Sequence, residues 1–230
     1  MKGPPLLILR PEPGASQTAA RATEQGWDVV VAPIFRIEPV AWDAPDPDCY
    51  DALIVTSANA VRQAGKALAS YCRLPAFAVG GATAAALRDA GFADVRSGHG
   101  NAMAILSLAA DAGIRRALHL AGADLSDADH PAILLDRRIV YRNVAIAEDG
   151  WREAILRDPA QPPIALLHSA RAAHHFAALC DRGGIARSAI RIAALAPAIL
   201  AAAGEGWHAA IAARTPDDIA LLAAAARLCQ

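Results

Sequence analysis

Short apolar runs alternate with longer alanine- and leucine-rich stretches along the chain. The runs predicted as strands are residues 6–10, 28–32, 52–56, 76–80, 94–96, 117–121, 164–168, 191–195 and 209–213. Most are apolar at successive positions, the pattern of strands buried on both faces of a parallel sheet. Helical segments fill the intervals at residues 16–25, 58–70, 83–90, 102–112, 131–136, 153–157, 170–182, 198–203 and 216–227. Gly26, Gly91, Gly113, Gly183 and Gly204 stand just past helix ends, where a left-handed cap is expected. This rhythm predicts an α/β protein built on parallel sheets.

Two segments depart from it. Ile34-Phe35-Arg36-Ile37-Glu38-Pro39-Val40 and Ile139-Val140-Tyr141-Arg142-Asn143-Val144 alternate apolar and polar residues, as half-exposed strands do. Both follow directly on a strand-like run and are expected to form a two-stranded antiparallel connector. The chain also echoes itself. Leu53-Ile54-Val55-Thr56-Ser57-Ala58-Asn59-Ala60 matches Ala165-Leu166-Leu167-His168-Ser169-Ala170-Arg171-Ala172, and the offset between matched segments stays between 111 (Leu7 to Leu118) and 116 (Asn101 to Asp217). A steady offset is the mark of internal duplication. If the connectors cross between lobes, residues 1–33 and 148–230 make a discontinuous first lobe and residues 41–137 a second. Residues 34–40 and 138–147 then join two flavodoxin-like lobes of five strands each, with a hinge at the double crossover.

Composition narrows the function. The hydrophobic fraction of 55% is ample for packed cores, and a net charge of −1 without a run of one sign excludes a general nucleic-acid or polybasic membrane binder. Lys2 and Lys66 are the only lysines, so the cationic side chains are nearly all guanidinium forks suited to carboxylate or phosphate. The cysteines, Cys49, Cys72, Cys180 and Cys229, are far apart and form no CxxC, which fits free thiols in a reducing compartment. The alanine-rich stretch 192–213 is interrupted by Pro197, Gly204, Glu205, Gly206 and His208 and is no membrane span. A soluble, cytoplasmic protein is expected.

Dinucleotide, P-loop, zinc-protease and nucleophile-elbow motifs are absent, and His174-His175, adjacent on a helix, point about 100° apart and make a poor metal pair. What remains is a set of small polar turns, each after a strand and before a helix: Thr56-Ser57, Gly80-Gly81-Ala82-Thr83, Gly98-His99-Gly100-Asn101, His168-Ser169 and Arg214-Thr215-Pro216. Ligands of open α/β sheets bind beyond the carboxyl ends of the strands, where such turns lie and helix N–H groups are exposed. Each turn alone reads as an ordinary helix cap, and Thr215-Pro216-Asp217-Asp218 is a good capping sequence with proline at N1. Together, facing one cleft, they suit a large, multiply anionic ligand.

The assembled pattern resembles the uroporphyrinogen-III synthase family over nearly the whole chain. The resemblance rests on Leu9-Arg10-Pro11, on Pro33-Ile34-Phe35-Arg36-Ile37-Glu38-Pro39, and on Tyr50-Asp51-Ala52-Leu53-Ile54-Val55-Thr56-Ser57-Ala58-Asn59. It continues through Ala78-Val79-Gly80-Gly81-Ala82-Thr83, Val140-Tyr141-Arg142, His168-Ser169-Ala170-Arg171 and Thr215-Pro216. It implies an enzyme that takes hydroxymethylbilane, a linear tetrapyrrole with eight carboxylates, and expels its terminal hydroxyl as water. Ring closure through a spiro-pyrrolenine then inverts ring D, with no metal or cofactor. The resemblance places Tyr141 as the group assisting hydroxyl departure, with packing of its ring as the alternative. It places Arg10, Ser57, Thr83, Ser169 and Thr215 on the substrate, to which the position of the polar turns adds Thr56, Gly80, Gly81 and Asn101. It also implies a monomer supplied by hydroxymethylbilane synthase, with no nucleic-acid or membrane partner.

The sequence departs from the family where Ala121 replaces an arginine before Gly122, where Gly81 replaces a glutamate, and where Asn59 stands for an arginine. The stretch 130–138 is a shortened form of the usual helix. A non-catalytic two-lobe binder of a small anionic ligand, or an inactive family member, is the alternative reading.

Overall fold

A computed structural model describes residues 3–98, 101–124, 128–147, 150–158 and 161–229. His99 and Gly100 of the third polar turn, Lys2, and residue 148 at the expected lobe boundary lie outside the described residues. The elements follow in the order β1 (Leu6–Ile8), α1 (Gly14–Glu24), β2 (Val29–Val31), β3 (Phe35–Pro39), β4 (Ala52–Val55), α2 (Ala58–Gln63), β5 (Ala76–Val79), α3 (Gly81–Asp89), β6 (Val95–Gly98) and α4 (Ala102–Asp111). They continue with β7 (Arg116–Gly122), β8 (Leu134–Ala145), α5 (Gly150–Leu156), β9 (Ile164–Leu167), α6 (Ala170–Arg182), β10 (Arg191–Ala194), α7 (Pro197–Ala203), β11 (Ala209–Ala212) and α8 (Asp218–Arg227). Two compact units result: unit one is Met1–Arg36 with Ala145–Gln230, and unit two is Ile37–Val144.

Unit one holds a five-stranded sheet ordered β11-β10-β9-β1-β2, with parallel neighbours throughout. Its central strands are buried on both sides because their side chains alternate between two cores. Leu7, Leu9, Ala165 and Leu167 face Trp151 and Ile155 of α5 and Phe176 of α6. Leu6, Ile8, Ile164 and Leu166 face Ala15 and Ala22 of α1 and Leu221, Leu222 and Ala225 of α8. On the first face Phe176 meets Trp151 edge-on and stacks on Trp207, each at a centroid distance of 5.8 Å. These contacts anchor the short helix α5 to α6.

Unit two holds a six-stranded sheet ordered β3-β8-β7-β4-β5-β6, parallel from β8 to β6. Leu53, Val55, Leu118, Leu120 and Val140 face α2 and α3, and Ala52, Ile54, Phe77 and Ala117 face α4. The bond from Val40 N–H to the Val140 carbonyl, at 2.9 Å, and that from Ile146 N–H to the Ile34 carbonyl, at 3.1 Å, run in opposite chain senses, as antiparallel pairing requires. Each half of the chain repeats one strand scheme. The spatial series β6-β5-β4-β7-β8 matches β11-β10-β9-β1-β2, and Ser57 and Ser169 cap the corresponding helices α2 and α6.

Three local expectations change. The helix anticipated at 131–136 is absent, and Leu134–Ala145 is one strand of 12 residues. Its first half completes the parallel sheet beside β7, where Leu135 faces the α4 core and Asp136 bonds Tyr50 at 2.6 Å on the other face. Sheet completion thus overrides local helix preference. The left-handed glycine after α6 is Gly184, with φ of +66°, whereas Gly183 is the helical C-cap. The long helix read at 58–70 is α2 followed by a tighter turn over Gly65–Tyr71. Gly65 takes φ of +71°, which ends α-helical geometry.

Gly80 opens α3 with φ of +76° and ψ of 159°, a region only glycine enters readily. Gly80→Ala is therefore expected to cost about 1–3 kcal/mol of unfolding free energy in urea titrations. Gly81 lies in the first turn of α3, and an added Cβ there would meet no neighbour within 4 Å. Gly81→Ala is expected to be neutral or to stabilise by up to about 1 kcal/mol in the same titrations.

Candidate functional site

The carboxyl ends of the parallel strands in unit two surround a polar cavity of about 270 Å³ lined by Thr56, Ser57, Val79, Ala102, His119, Gly122, Asp124, Tyr141 and Asn143. Thr56 and Ser57 follow β4, Val79 ends β5, Ala102 opens α4, and Gly122 ends β7. Ser57 is the N-cap of α2 and accepts the Asn59 N–H at 3.2 Å. Asn101 caps α4 by accepting the Ala104 N–H at 3.1 Å.

Tyr141 reaches this cavity through an irregularity in β8. Ala121 pairs with Ile139, but Gly122 pairs with Tyr141, so Val140 is an extra residue on the β8 side. Such a bulge re-aims side chains, and Val140 and Tyr141 both pack on the α2–α3 core. The Tyr141 ring lies directly on Gly122, where a Cβ would stand 2.5 Å from the ring carbon Cζ. Asn143 Nδ2 donates to Asp124 Oδ2 at 3.0 Å, and the Ala123 N–H donates to the Tyr141 carbonyl at 2.9 Å. The loop after β7 is thereby tied to β8 beside the tyrosine.

His119, 4% exposed, sits 3.3 Å from Thr56 Oγ1 through Nε2. Burial, reinforced by the Arg137 cation, lowers its pKa to about 4, so the ring is neutral at physiological pH. His119, Asp124 and Asn143 are not among the residues expected from the sequence. The signal for His119 was a polar residue between Leu118 and Leu120 in an otherwise apolar strand.

The other expected site residues are distributed as follows. Gly80 and Gly81 open α3 next to Val79 but do not line the cavity, and Thr83, 4% exposed, is buried in α3. Arg10, Ser169 and Thr215 belong to unit one. Ser169 caps α6 by accepting the Ala172 N–H at 3.2 Å. Thr215 lines a separate cavity of about 580 Å³ with Arg214 and Arg227. It is not a helix cap: Asp217 holds that position, accepting the Ala220 N–H at 2.8 Å, and α8 starts at Asp218. A carboxylate satisfies the helix N–H groups and the positive dipole end better than the threonine two residues earlier.

Arg10 joins a half-buried cluster centred on Asp218. Its Nη1 contacts Thr18 Oγ1 at 3.3 Å and Asp218 Oδ1 at 3.4 Å. Thr18 donates to Asp218 Oδ2 at 2.9 Å and Arg21 Nη1 to the same oxygen at 2.6 Å. His168 Nε2 stands 3.4 Å from Oδ1 at ion-pair range, without the geometry of a hydrogen bond. Burial alone would raise the Asp218 pKa, but His168, Thr18 and Arg10 outweigh it and hold the carboxyl well below the usual range. Burial lowers the His168 pKa, with Arg10 adding to the effect and Asp218 opposing it.

The HEM4 family model, described as uroporphyrinogen-III synthase HemD, matches residues 16–223. The chain belongs to the uroporphyrinogen-III synthase family. Among solved structures it is similar to uroporphyrinogen-III synthetase from Helicobacter pylori 26695, at 16% identity and a TM-score of 0.65, covering 97% of this chain and 99% of that one. It is also similar to a mutant uroporphyrinogen III synthase from the extremely thermophilic bacterium Thermus thermophilus, at 18% identity and a TM-score of 0.52, covering 97% and 98%. At these identities the likeness shows a shared fold, while the family match carries the membership and, with it, the cyclising activity. No curated protein matches the sequence. Among the described residues no three histidine, cysteine or acidic side chains converge as a metal site would require, and no helix is long and apolar enough to cross a membrane.

A carboxylate whose folded pKa is depressed adds stability above its unfolded pKa of about 3.9 and loses it as pH falls toward the folded value. Asp218→Asn is expected to lower the unfolding free energy by on the order of 2 kcal/mol at pH 7, because Arg10 and Arg21 lose a buried anionic partner. The gap between the two proteins should narrow below about pH 4. Chemical denaturation at pH 7 and pH 3.5 measures both effects.

Proposed function

We propose that the polar cavity of unit two engages one pyrrole of hydroxymethylbilane and that Tyr141 assists departure of the terminal hydroxyl. The observation that carries this reading is the bulge that seats Tyr141 on Gly122 inside that cavity, beside Thr56 and Ser57. A cavity of about 270 Å³ is too small for a whole tetrapyrrole but takes a ring edge or an acidic arm. Its chemistry is matched to such a group: hydroxyls of Thr56, Ser57 and Tyr141 can donate to a carboxylate, and the Asp124 carboxylate can accept a pyrrole N–H.

The work left to the protein is positioning and proton supply. The pyrrole adjoining the hydroxymethyl group provides the electron push that expels the hydroxyl. A phenol hydrogen-bonded to the departing oxygen stabilises it as it gains charge and delivers the proton that makes it water. The resulting azafulvene carbon is then attacked by the terminal pyrrole. Holding the two ends in reacting geometry favours attack from the substituted carbon of ring D, giving the spiro-pyrrolenine, over the spontaneous head-to-tail closure. Cleavage of the original methylene bond to ring D and its re-closure at the free α-carbon, with loss of that carbon's proton, leaves ring D inverted. Arg10, Ser169 and Thr215 of unit one, with Gly80, Gly81 and Asn101 of unit two, are assigned to the remaining carboxylates; Thr83, buried in α3, is assigned no direct contact. By the same reading the enzyme is a cytoplasmic monomer that receives its substrate from hydroxymethylbilane synthase; four free cysteines support a reducing compartment.

The purified chain, coupled to hydroxymethylbilane synthase and porphobilinogen, is expected to yield the type III isomer after oxidation and chromatographic separation. Type I alone from folded protein would overturn the activity. In the same assay Tyr141→Phe should lower kcat at least about tenfold while changing KM less than about threefold. An unchanged kcat would return Tyr141 to a packing role.

A further inference from the structure

Two hydroxyls in the unit-two cavity, Thr56 and Ser57, are adjacent in sequence and both line it. Ser57 Oγ accepts the Asn59 N–H at 3.2 Å, so its own hydroxyl proton is left for another acceptor. The state of Thr56 depends on His119, because Thr56 Oγ1 and His119 Nε2 are 3.3 Å apart and either can donate.

The surroundings of the other ring nitrogen settle which does. His119 Nδ1 is buried and has no hydrogen-bond partner among the described residues. His119 pairs in register with Arg137 on β8, and the Arg137 Nε is likewise buried without a partner among the described residues. Arg137 Nη2 is taken by Asp129 Oδ1 at 2.6 Å and by the Ala128 carbonyl. A proton on Nδ1 would be a buried N–H with nothing to bond and would add positive charge near a guanidinium. A lone pair on Nδ1 avoids both penalties, since an orphaned donor is costlier than an under-used acceptor and the cation favours the lone pair.

We infer that His119 is a positioning residue: in its neutral Nε2–H form it donates to Thr56 Oγ1 and leaves the Thr56 hydroxyl proton for a carboxylate arm of the substrate. Thr56 and Ser57 then act alike. Each accepts an N–H from the protein and presents its own O–H to the ligand, so the two match the two oxygens of one carboxylate. The remaining acid of the cavity, Asp124, is engaged by Asn143. The opposite tautomer would make Thr56 an acceptor toward the ligand and leave Ser57 as the single hydroxyl donor of the pair. This inference rests on the proposed binding of substrate in this cavity.

The tautomer is measured without substrate, by long-range ¹H–¹⁵N correlation on ¹⁵N-histidine protein at pH 7, with the His119→Gln spectrum assigning the resonance. The Nε2–H pattern is expected; an Nδ1–H pattern or an imidazolium overturns the inference. Kinetics supply the second arm. His119→Leu and Thr56→Val should each raise KM about five- to tenfold with kcat changed less than twofold, the loss of one hydrogen bond to a charged group. His119→Gln, which keeps an N–H near the Nε2 position, and Thr56→Ser should restore KM to within about twofold of the unmodified protein. An unchanged KM in Thr56→Val, or no rescue by glutamine, overturns the inference. Should His119→Leu fail to fold, the Thr56 pair and the spectrum decide. If the unmodified chain makes no type III isomer, the substrate reading falls, while the tautomer stands or falls on its own spectrum.

Discussion

Parallel strand pairing is the constraint on which the site depends. When neighbouring strands run in the same sense, all their carboxyl ends reach the same rim of the sheet, and every connection to the next helix starts there. In unit two this places the residues after β4, β5 and β7 around one opening. The central strands can be short and nearly featureless because they are buried on both faces: in β4, Leu53 and Val55 lie on one side and Ala52 and Ile54 on the other. Much of the polar chemistry is thereby displaced to the turns, which carry Thr56, Ser57 and Asp124, while His119 in β7 and Tyr141 and Asn143 in β8 supply the rest.

That division explains what could be read from the sequence. The nine runs read as strands correspond to strands, most plainly the central ones, where continuous burial leaves an unbroken apolar signature, and α6 is bounded as expected, at Ala170 and Arg182, because Ser169 and the glycines after it punctuate both ends. The α/β class and the uroporphyrinogen-III synthase family followed from the same order of turns. Features set by partners distant in sequence were not legible. Leu134-Leu135-Asp136 has no local mark of a strand; it becomes one because β7 offers an unpaired edge. The bulge at Gly122 and Tyr141 is a matter of register, which no single segment encodes. The Asp218 cluster draws residues 200 positions apart, as with Thr18, onto one carboxylate.

The departures from the family pattern take on physical meaning in the structure. Ala121, where the resemblance to the family leads one to expect an arginine, is 1% exposed within β7, next to the glycine that Tyr141 covers. A long cationic side chain there would compete with that packing, and the donors of the cavity are instead hydroxyls. Gly81 in the first turn of α3 leaves space where a glutamate would set a negative charge against an anionic ligand. Both replacements lower the charge around the strand ends without emptying them of hydrogen-bond donors, which is consistent with recognition by oriented N–H and O–H groups more than by bulk charge.

The central claim is that substrate is held at the carboxyl ends of β4 and β7, and amide chemical-shift mapping tests it most directly. Uroporphyrinogen III would be titrated anaerobically into ¹⁵N-labelled protein. The account predicts that the largest shifts in unit two fall on Thr56, Ser57, Gly122, Tyr141 and Asn143. Shifts confined to residues elsewhere, such as Arg214, Thr215 and Arg227 around the other cavity, with the Thr56–Ser57 and Tyr141–Asn143 amides unmoved, would contradict it.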